Sequence, residues 1–261
     1  MTAHLTAPAQ ARHLPLEGTY NVRDAGGYPT RDGRTIRWQM LYRADSLHRL
    51  TEQGQVHLIE AGLSTVIDLR RDVELAVAPN VLAASDRVNY VWISLAPNPA
   101  QAEGRRVIEP DTLARTYRTI IDDRQPELRQ ILSTLAQPGA FPALVHCTAG
   151  KDRTGIVVAL LLGLAGVEHA TIAEDYALTA TYLGSGYFAD ARVRAESAGH
   201  TWEQYQHLLG CPADLMLATL ADLDARYGGF EAYLRQIGLT SDELDALRAA
   251  LVADAQPVAG R

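Results

Sequence analysis

Cysteine is scarce in this chain. Two thiols in 261 residues, Cys147 and Cys211, cannot build a disulfide framework or a four-ligand zinc site, and the eight histidines are scattered without ligand spacing. The expectation is a reduced protein with no metal and no cofactor. A secretory signal is missing as well, because residues 1–13 have neither a charged start nor an apolar run. The apolar stretch Gly155 to Leu164 is too short and too well bounded to span a bilayer, so no stable membrane insertion is expected and cytoplasm is the default location. Export by a route that uses no signal leaves no mark in such a sequence. Cations are in deficit, with 24 Lys and Arg against 31 Asp and Glu for a net charge of −7. A general nucleic-acid binder needs the opposite surplus to displace counterions from phosphates, so nucleic acid is not an expected partner. An anionic small substrate would need a local basic pocket.

No Pro/Gly/Ser-rich linker divides the middle of the chain either. Residues 14–261 therefore read as one domain behind a loose tail, 1–13, rich in Ala, Thr, Pro and Gln. The oligomeric state is not legible.

What is present is a single stretch with chemistry in it: Val145-His146-Cys147-Thr148-Ala149-Gly150-Lys151-Asp152-Arg153-Thr154-Gly155. Before it, Phe141 to Val145 is short, apolar and bounded by Pro and Gly, as a buried strand is; after it, Gly155 to Leu164 reads as a buried helix. Cys147 thus ends a strand, and Arg153 stands six residues on where a helix begins. Unpaired N–H groups and the positive dipole end of a helix start make a site for a dianion. The same field stabilises a thiolate, which makes Cys147 a candidate nucleophile. Arg153 can grip two phosphate oxygens at once, a geometry that Lys151 cannot reproduce. Two other readings fail: a nucleotide-binding P-loop needs Gly where Val145 stands and Ser or Thr where Asp152 stands, and a serine-hydrolase elbow needs G-x-S-x-G.

Around that stretch the chain alternates. Asp32-Gly33 marks a hairpin turn, Leu41-Tyr42-Arg43 a strand, Thr51 onward a helix start, Leu63 to Arg70 a strand, Val73 to Val81 a short helix and Val88 to Leu95 another strand. Ala96 to Pro110 reads as a loop and a candidate substrate lid, carrying Arg105-Arg106. Asp111 is expected to cap a helix through Asp123, and Pro126 to open the next. A helical half follows: Glu168 to Leu183, Ala189 to Gly199, Pro212 to Tyr227, Phe230 to Ile237 and Asp242 to Ala253. The predicted fold class is α/β, a central and mainly parallel sheet flanked by helices, with a helical C-terminal half. Cys211 reads as a packed residue, Asn21, Arg23 and Asp24 as fixing the N-terminal turn, and Tyr187-Phe188 as helical packing or an aromatic cover.

His146-Cys147-x5-Arg153-Thr154 resembles the signature of the protein tyrosine phosphatase superfamily, and its longer form resembles the bacterial tyrosine and dual-specificity branch. Asn21 to Gly27, Tyr42 to Asp45, Val66 to Arg70, Asp175-Tyr176 and Tyr227 to Leu234 are similar to that branch too; Ala44 stands where Ser is expected. The resemblance implies the cysteine-phosphatase fold and a metal-independent phosphomonoester hydrolase with a phosphocysteine intermediate. It implies action on phosphorylated protein, phosphotyrosine foremost, or on a small phosphomonoester. Cys147 would attack; Arg153 and the loop Thr148, Ala149, Gly150 and Lys151 would hold phosphate; Thr154 would donate to the thiolate, with His146 bracing from behind. The chain has no Trp-Pro-Asp. Its general acid is left between Asp152, placed first, and Asp68. Lys151 beside Arg153 resembles phosphoinositide phosphatases, so a phosphoinositide, inositol polyphosphate or other small-metabolite substrate stays open. A phosphate-binding pseudophosphatase is the third reading.

Overall fold

A computed structural model describes residues 12–97, 111–197, 199 and 201–253. Most of the tail and of the candidate lid, including Glu103, Arg105, Arg106 and Glu109, lies outside the described residues. Five short strands make one sheet: β1 (Arg23–Asp24), β2 (Leu41–Ala44), β3 (Thr65–Asp68), β4 (Asn89–Trp92) and β5 (Ala143–His146), in the order β1-β2-β5-β3-β4. Only β1 pairs antiparallel; β2 with β5, β3 with β5 and β3 with β4 are all parallel. The fold class is the expected one.

The sheet is covered on both faces, as parallel strands require. Side chains alternate across the pleat, so Ile67 and Val145 join one apolar cluster while their neighbours Val66 and Leu144 join another with Leu58. Helix α1 (Glu52–Glu60) covers the second face, opened by the Thr51 hydroxyl, which accepts from the Gly54 N–H at 3.3 Å. After β3 comes the short α2 (Asp72–Val77); α3 (Thr112–Asp123) and α4 (Gln125–Leu135) lead into β5. Helix α5 (Asp152–Leu164) follows and is apolar all round because it is buried all round, against the sheet and against the C-terminal helices. Those helices are α6 (His169–Ser197), α7 (Trp202–Gln206), α8 (Ala213–Tyr227), α9 (Phe230–Gln236) and α10 (Ser241–Leu251), with a 3-10 turn at His207–Leu209.

One expectation needs correction. Asp111 does not cap α3: its backbone (φ −92, ψ 5) is outside the extended region a cap uses, and its carboxylate pairs instead with Arg115 at 3.2 Å. Two helices precede Gly199 as expected: α6 is broken after Leu183 by a kink at Gly184, whose backbone is not helical (φ 57, ψ −173). Among the described residues no helix is long and apolar enough to cross a membrane, and no group of three or more His, Cys, Asp or Glu could hold a metal ion.

Register is what positions the site. Ala44, His146, Asp68 and Trp92 lie in one row across the sheet. The carboxyl ends of β2, β5 and β3 therefore finish together, and the segments that follow them converge on one edge, where open α/β sheets bind ligands.

Candidate active site

The loop from Cys147 to Lys151 is held by its carbonyls. Thr148 O accepts from the Ser46 N–H at 3.1 Å, Ala149 O from Asn21 Nδ2 at 2.9 Å, and Gly150 O from Arg43 Nη2 at 2.8 Å. A trans peptide points its N–H opposite to its C=O, so these outward bonds turn the amides of Ala149, Gly150 and Lys151 to the other side, toward the pocket. Gly150 has φ +67, and a Cβ there would stand 2.4 Å from Ala44 O. Only glycine lets the loop lie this close to the end of β2.

Cys147 lies at the bottom of a pocket of about 600 Å³, whose wall includes Thr148, Ala149, Lys151, Asp152 and Arg153. Residue Cys147 is 1% exposed. Behind it, His146 donates from Nδ1 to Cys147 O at 3.2 Å, while its Nε2 lies 2.8 Å from Asn80 Nδ2 and 3.2 Å from Asp68 Oδ2. The buried hydroxyl of Thr154 finds no hydrogen-bond partner. A helical threonine usually bonds back to the carbonyl four residues earlier, but that carbonyl, Gly150 O, is already taken by Arg43.

Arg153 reaches the same pocket from the first turn of α5, and its fork is occupied by a residue the sequence did not flag. Glu74 on α2 takes Arg153 Nη1 at 2.8 Å and Nη2 at 3.0 Å; Leu69 O and Thr148 Oγ1, each at 3.2 Å, take the other Nη hydrogens. Glu74 also accepts from the Arg71 N–H at 2.7 Å and from the Thr148 hydroxyl. Burial alone would raise its carboxyl, but Arg153 and these donors hold it well below the usual carboxylate range. Burial would likewise favour a neutral Arg153; the neighbouring Cys147 sulfur and Glu74 outweigh it and keep the guanidinium charged.

A cysteine and an arginine six residues apart, facing one pocket from a loop whose carbonyls are all tied away, agree with what sequence relatives show. Residues 14–253 match the tyrosine phosphatase family. The chain belongs to that family. A tyrosine-protein phosphatase of Nostoc commune is 35% identical over 223 residues, 80% of this chain and 73% of the relative. The triple specificity protein phosphatase PtpB of Mycobacterium tuberculosis is 26% identical over 284 residues, 92% of this chain and 99% of that one.

Within this phosphatase the two candidate acids sit in different surroundings. Asp152 lines the pocket, its side chain 29% exposed; Oδ1 accepts from the Tyr117 hydroxyl at 2.6 Å and lies 3.3 Å from Lys151 Nζ. Asp68 is fully buried. Arg70 grips both its oxygens at 2.9 and 2.7 Å, Tyr90 donates at 3.0 Å, and Asn80 and His146 close the ring. Burial pushes the Asp68 carboxyl up, but His146 and Arg70 pull it far below the usual carboxylate range. Lys151, expected to hold phosphate as a second cation, is 1% exposed and already engaged: Nζ donates to Leu208 O and, at 3.1 Å, to Gly210 O.

Behind the phosphatase loop stands a buried charge network. Asp175 on α6 accepts from Arg23 Nε at 3.3 Å, from Tyr28 at 3.0 Å and from Arg43, the residue that pins Gly150 O. Burial would raise Asp175; Arg23 and Arg43 bring it down to about 2. Arg23 in turn bonds Asn21, the residue that pins Ala149 O. Asn21 and Arg23 do more than fix the N-terminal turn: they prop the loop. Cys211 is a packed residue, as expected, its thiol pushed up to about 11 chiefly by burial.

Proposed function

We propose that this chain is a phosphomonoester hydrolase working through a phosphocysteine, and that its first substrate class is the protein-bound aryl phosphate, phosphotyrosine. The observation that carries the reading is the loop itself, with Cys147 and Arg153 on one pocket and the carbonyls of residues 148–150 all bonded outward. In this scheme Cys147 Sγ attacks phosphorus while the bond to the leaving oxygen breaks. The loop amides and Arg153 hold the equatorial oxygens. Substrate takes the Nε–H of Arg153 and competes with the Thr148 hydroxyl for Nη2, and Thr154 donates its free hydroxyl to the thiolate. Asp152 protonates the leaving oxygen and then takes a proton from the water that cleaves the phosphocysteine. Asp68, with its oxygens already spent on four partners, braces His146 instead. No metal has a part in this scheme, because Arg153 and the amides supply the charge.

An aromatic leaving group is favoured by the mouth above the loop, where Leu113, Ile120, Tyr187, Tyr205, Leu208 and Leu209 form an apolar wall. The names of the relatives support protein phosphatase activity, and that of PtpB keeps broader specificity open. A phosphoinositide or small-metabolite substrate would use Lys151 as a second cation, and would first have to displace Leu208 O and Gly210 O from it. Hydrolysis of 4-nitrophenyl phosphate in EDTA, blocked by orthovanadate and abolished in Cys147→Ser with vanadate still bound, is the expected result. Undiminished turnover in that variant sinks the cysteine mechanism, and an inert wild type leaves a pseudophosphatase. Ranking kcat/KM over phosphopeptides, inositol phosphates and nucleotides decides the substrate class, with phosphotyrosine peptides expected first.

A further inference from the structure

Asp152 occupies the first position of α5, partly exposed at the pocket wall, where a short side chain is free to turn between rotamers. An acid that must deliver a proton to one oxygen needs that freedom removed. Two tyrosines from elsewhere in the fold meet it. Tyr117 of α3 is fully buried and Tyr176 of α6 is 1% exposed; their rings cross edge to face at 86° with centroids 6.1 Å apart, and their hydroxyls are 2.6 Å apart. Tyr117 is also 2.6 Å from Asp152 Oδ1. A carboxylate only accepts, so the Tyr117 proton is spent on Asp152 and Tyr176 must donate to Tyr117. The order of the chain, Tyr176 to Tyr117 to Asp152, is therefore fixed, and each bond polarises the next. Burial, with Asp152 close by, holds both phenols protonated far above their ordinary range. The Tyr176 ring rests on α5 at Gly155, where a Cβ would stand 3.1 Å from it.

We propose that Tyr117, backed by Tyr176, is the positioning residue for Asp152, taking up Oδ1 so that the other oxygen faces the leaving group. The inference rests on the reading of Asp152 as the acid. Adjacent residues of α6 then serve the two halves of the site: Asp175 acts on the loop through Arg43, and Tyr176 acts on the acid through Tyr117.

The test is leaving-group dependence. Phenyl phosphate needs a proton far more than 4-nitrophenyl phosphate does, so a misplaced acid slows the first selectively. In Tyr117→Phe, kcat/KM, which reports the steps up to departure of the leaving group, is expected to fall about tenfold for phenyl phosphate and less than about threefold for 4-nitrophenyl phosphate with vanadate affinity holding, as the loss of one hydrogen bond to a charged group predicts. Tyr176→Phe, which leaves the Tyr117–Asp152 bond in place, is expected to give a smaller loss of the same kind. In an Asp152→Asn background Tyr117→Phe should cost nothing more. Equal losses of kcat/KM on both esters, no loss, or full additivity with Asp152→Asn overturns the positioning role. If Asp152→Asn alone spares phenyl phosphate, the acid assignment itself has failed and the positioning role falls with it, and that single-variant arm tells the two failures apart.

Discussion

Replacing Asp175 by Asn tests whether the loop is held by the charge network behind it. Arg23, Arg43 and Asp175 are all at most 1% exposed, and burial together with the nearby Arg43 already lowers Arg23 to about 10. Asn keeps the volume and one acceptor but removes the charge that both guanidiniums face. Breaking a buried pair from one side costs about 3–5 kcal/mol, because the partner is left charged and uncompensated. A kilocalorie moves the melting temperature of a chain of this size by about 2–4 °C, so a fall of roughly 6–20 °C is expected. The control is Glu168→Ala, which breaks the pair between Arg31 and Glu168, whose side chains are 50% and 61% exposed; that change should cost under about 1 kcal/mol. Calorimetry at neutral pH reads the difference. Vanadate affinity measured well below the melt should fall as well, since Arg43 loses the partner that orients it toward Gly150 O. An Asp175→Asn protein that melts within about 2 °C of wild type and binds vanadate normally refutes the reasoning.

Gly150→Ala forces a side chain into a left-handed backbone at a cost of about 1–2 kcal/mol and sets its Cβ 2.8 Å from Asn21 Nδ2 as well as against Ala44 O. Vanadate affinity should drop at least about tenfold, since about 1.4 kcal/mol already corresponds to that factor; an unchanged kcat/KM contradicts the account of the loop. Asp45 gives a pH signature. Burial pushes its carboxyl up to about 6 even though it accepts from the Asn21 and Tyr20 N–H groups. The folded value lies above the unfolded one, so the stability this group lends is full below about pH 4 and is lost as the pH rises through 6. The melting temperature of wild type minus that of Asp45→Asn should therefore decline between pH 4 and 7, and a flat difference would refute the assignment.

The loop was legible in the sequence because everything that defines it is local: a strand, a cysteine, a five-residue gap and an arginine opening an apolar helix. β3 and β5 were legible as strands for the same reason, since both are short apolar runs bounded by turns. What each carboxylate does was not. Asp68 looks the same in sequence whether it is free or spent, and its partners come from residues 70, 80, 90 and 146. Glu74 stood at the third position of a short helix, where an acidic residue ordinarily serves the helix start; that it also reaches Arg153 depends on where α2 lands beside the loop. Lys151 is tied to carbonyls more than fifty positions away, at Leu208 and Gly210. Tyr117 and Tyr176 carry ordinary helical spacing and reveal their pairing only once α3 and α6 are packed on α5.

The row formed by Ala44, Asp68, Trp92 and His146 makes catalysis a late event in the life of the chain. Within residues 147–153 Arg153 bonds the Thr148 hydroxyl, but the props of the loop carbonyls arrive from Asn21, Arg43 and Ser46, far upstream. The loop therefore takes shape only after the chain has returned to insert its fifth strand between the second and third. Contacts of such long sequence separation are slow to form. A nascent chain or a partly opened one has the nucleophile but not the cradle, so turnover itself reports that the whole sheet is in place.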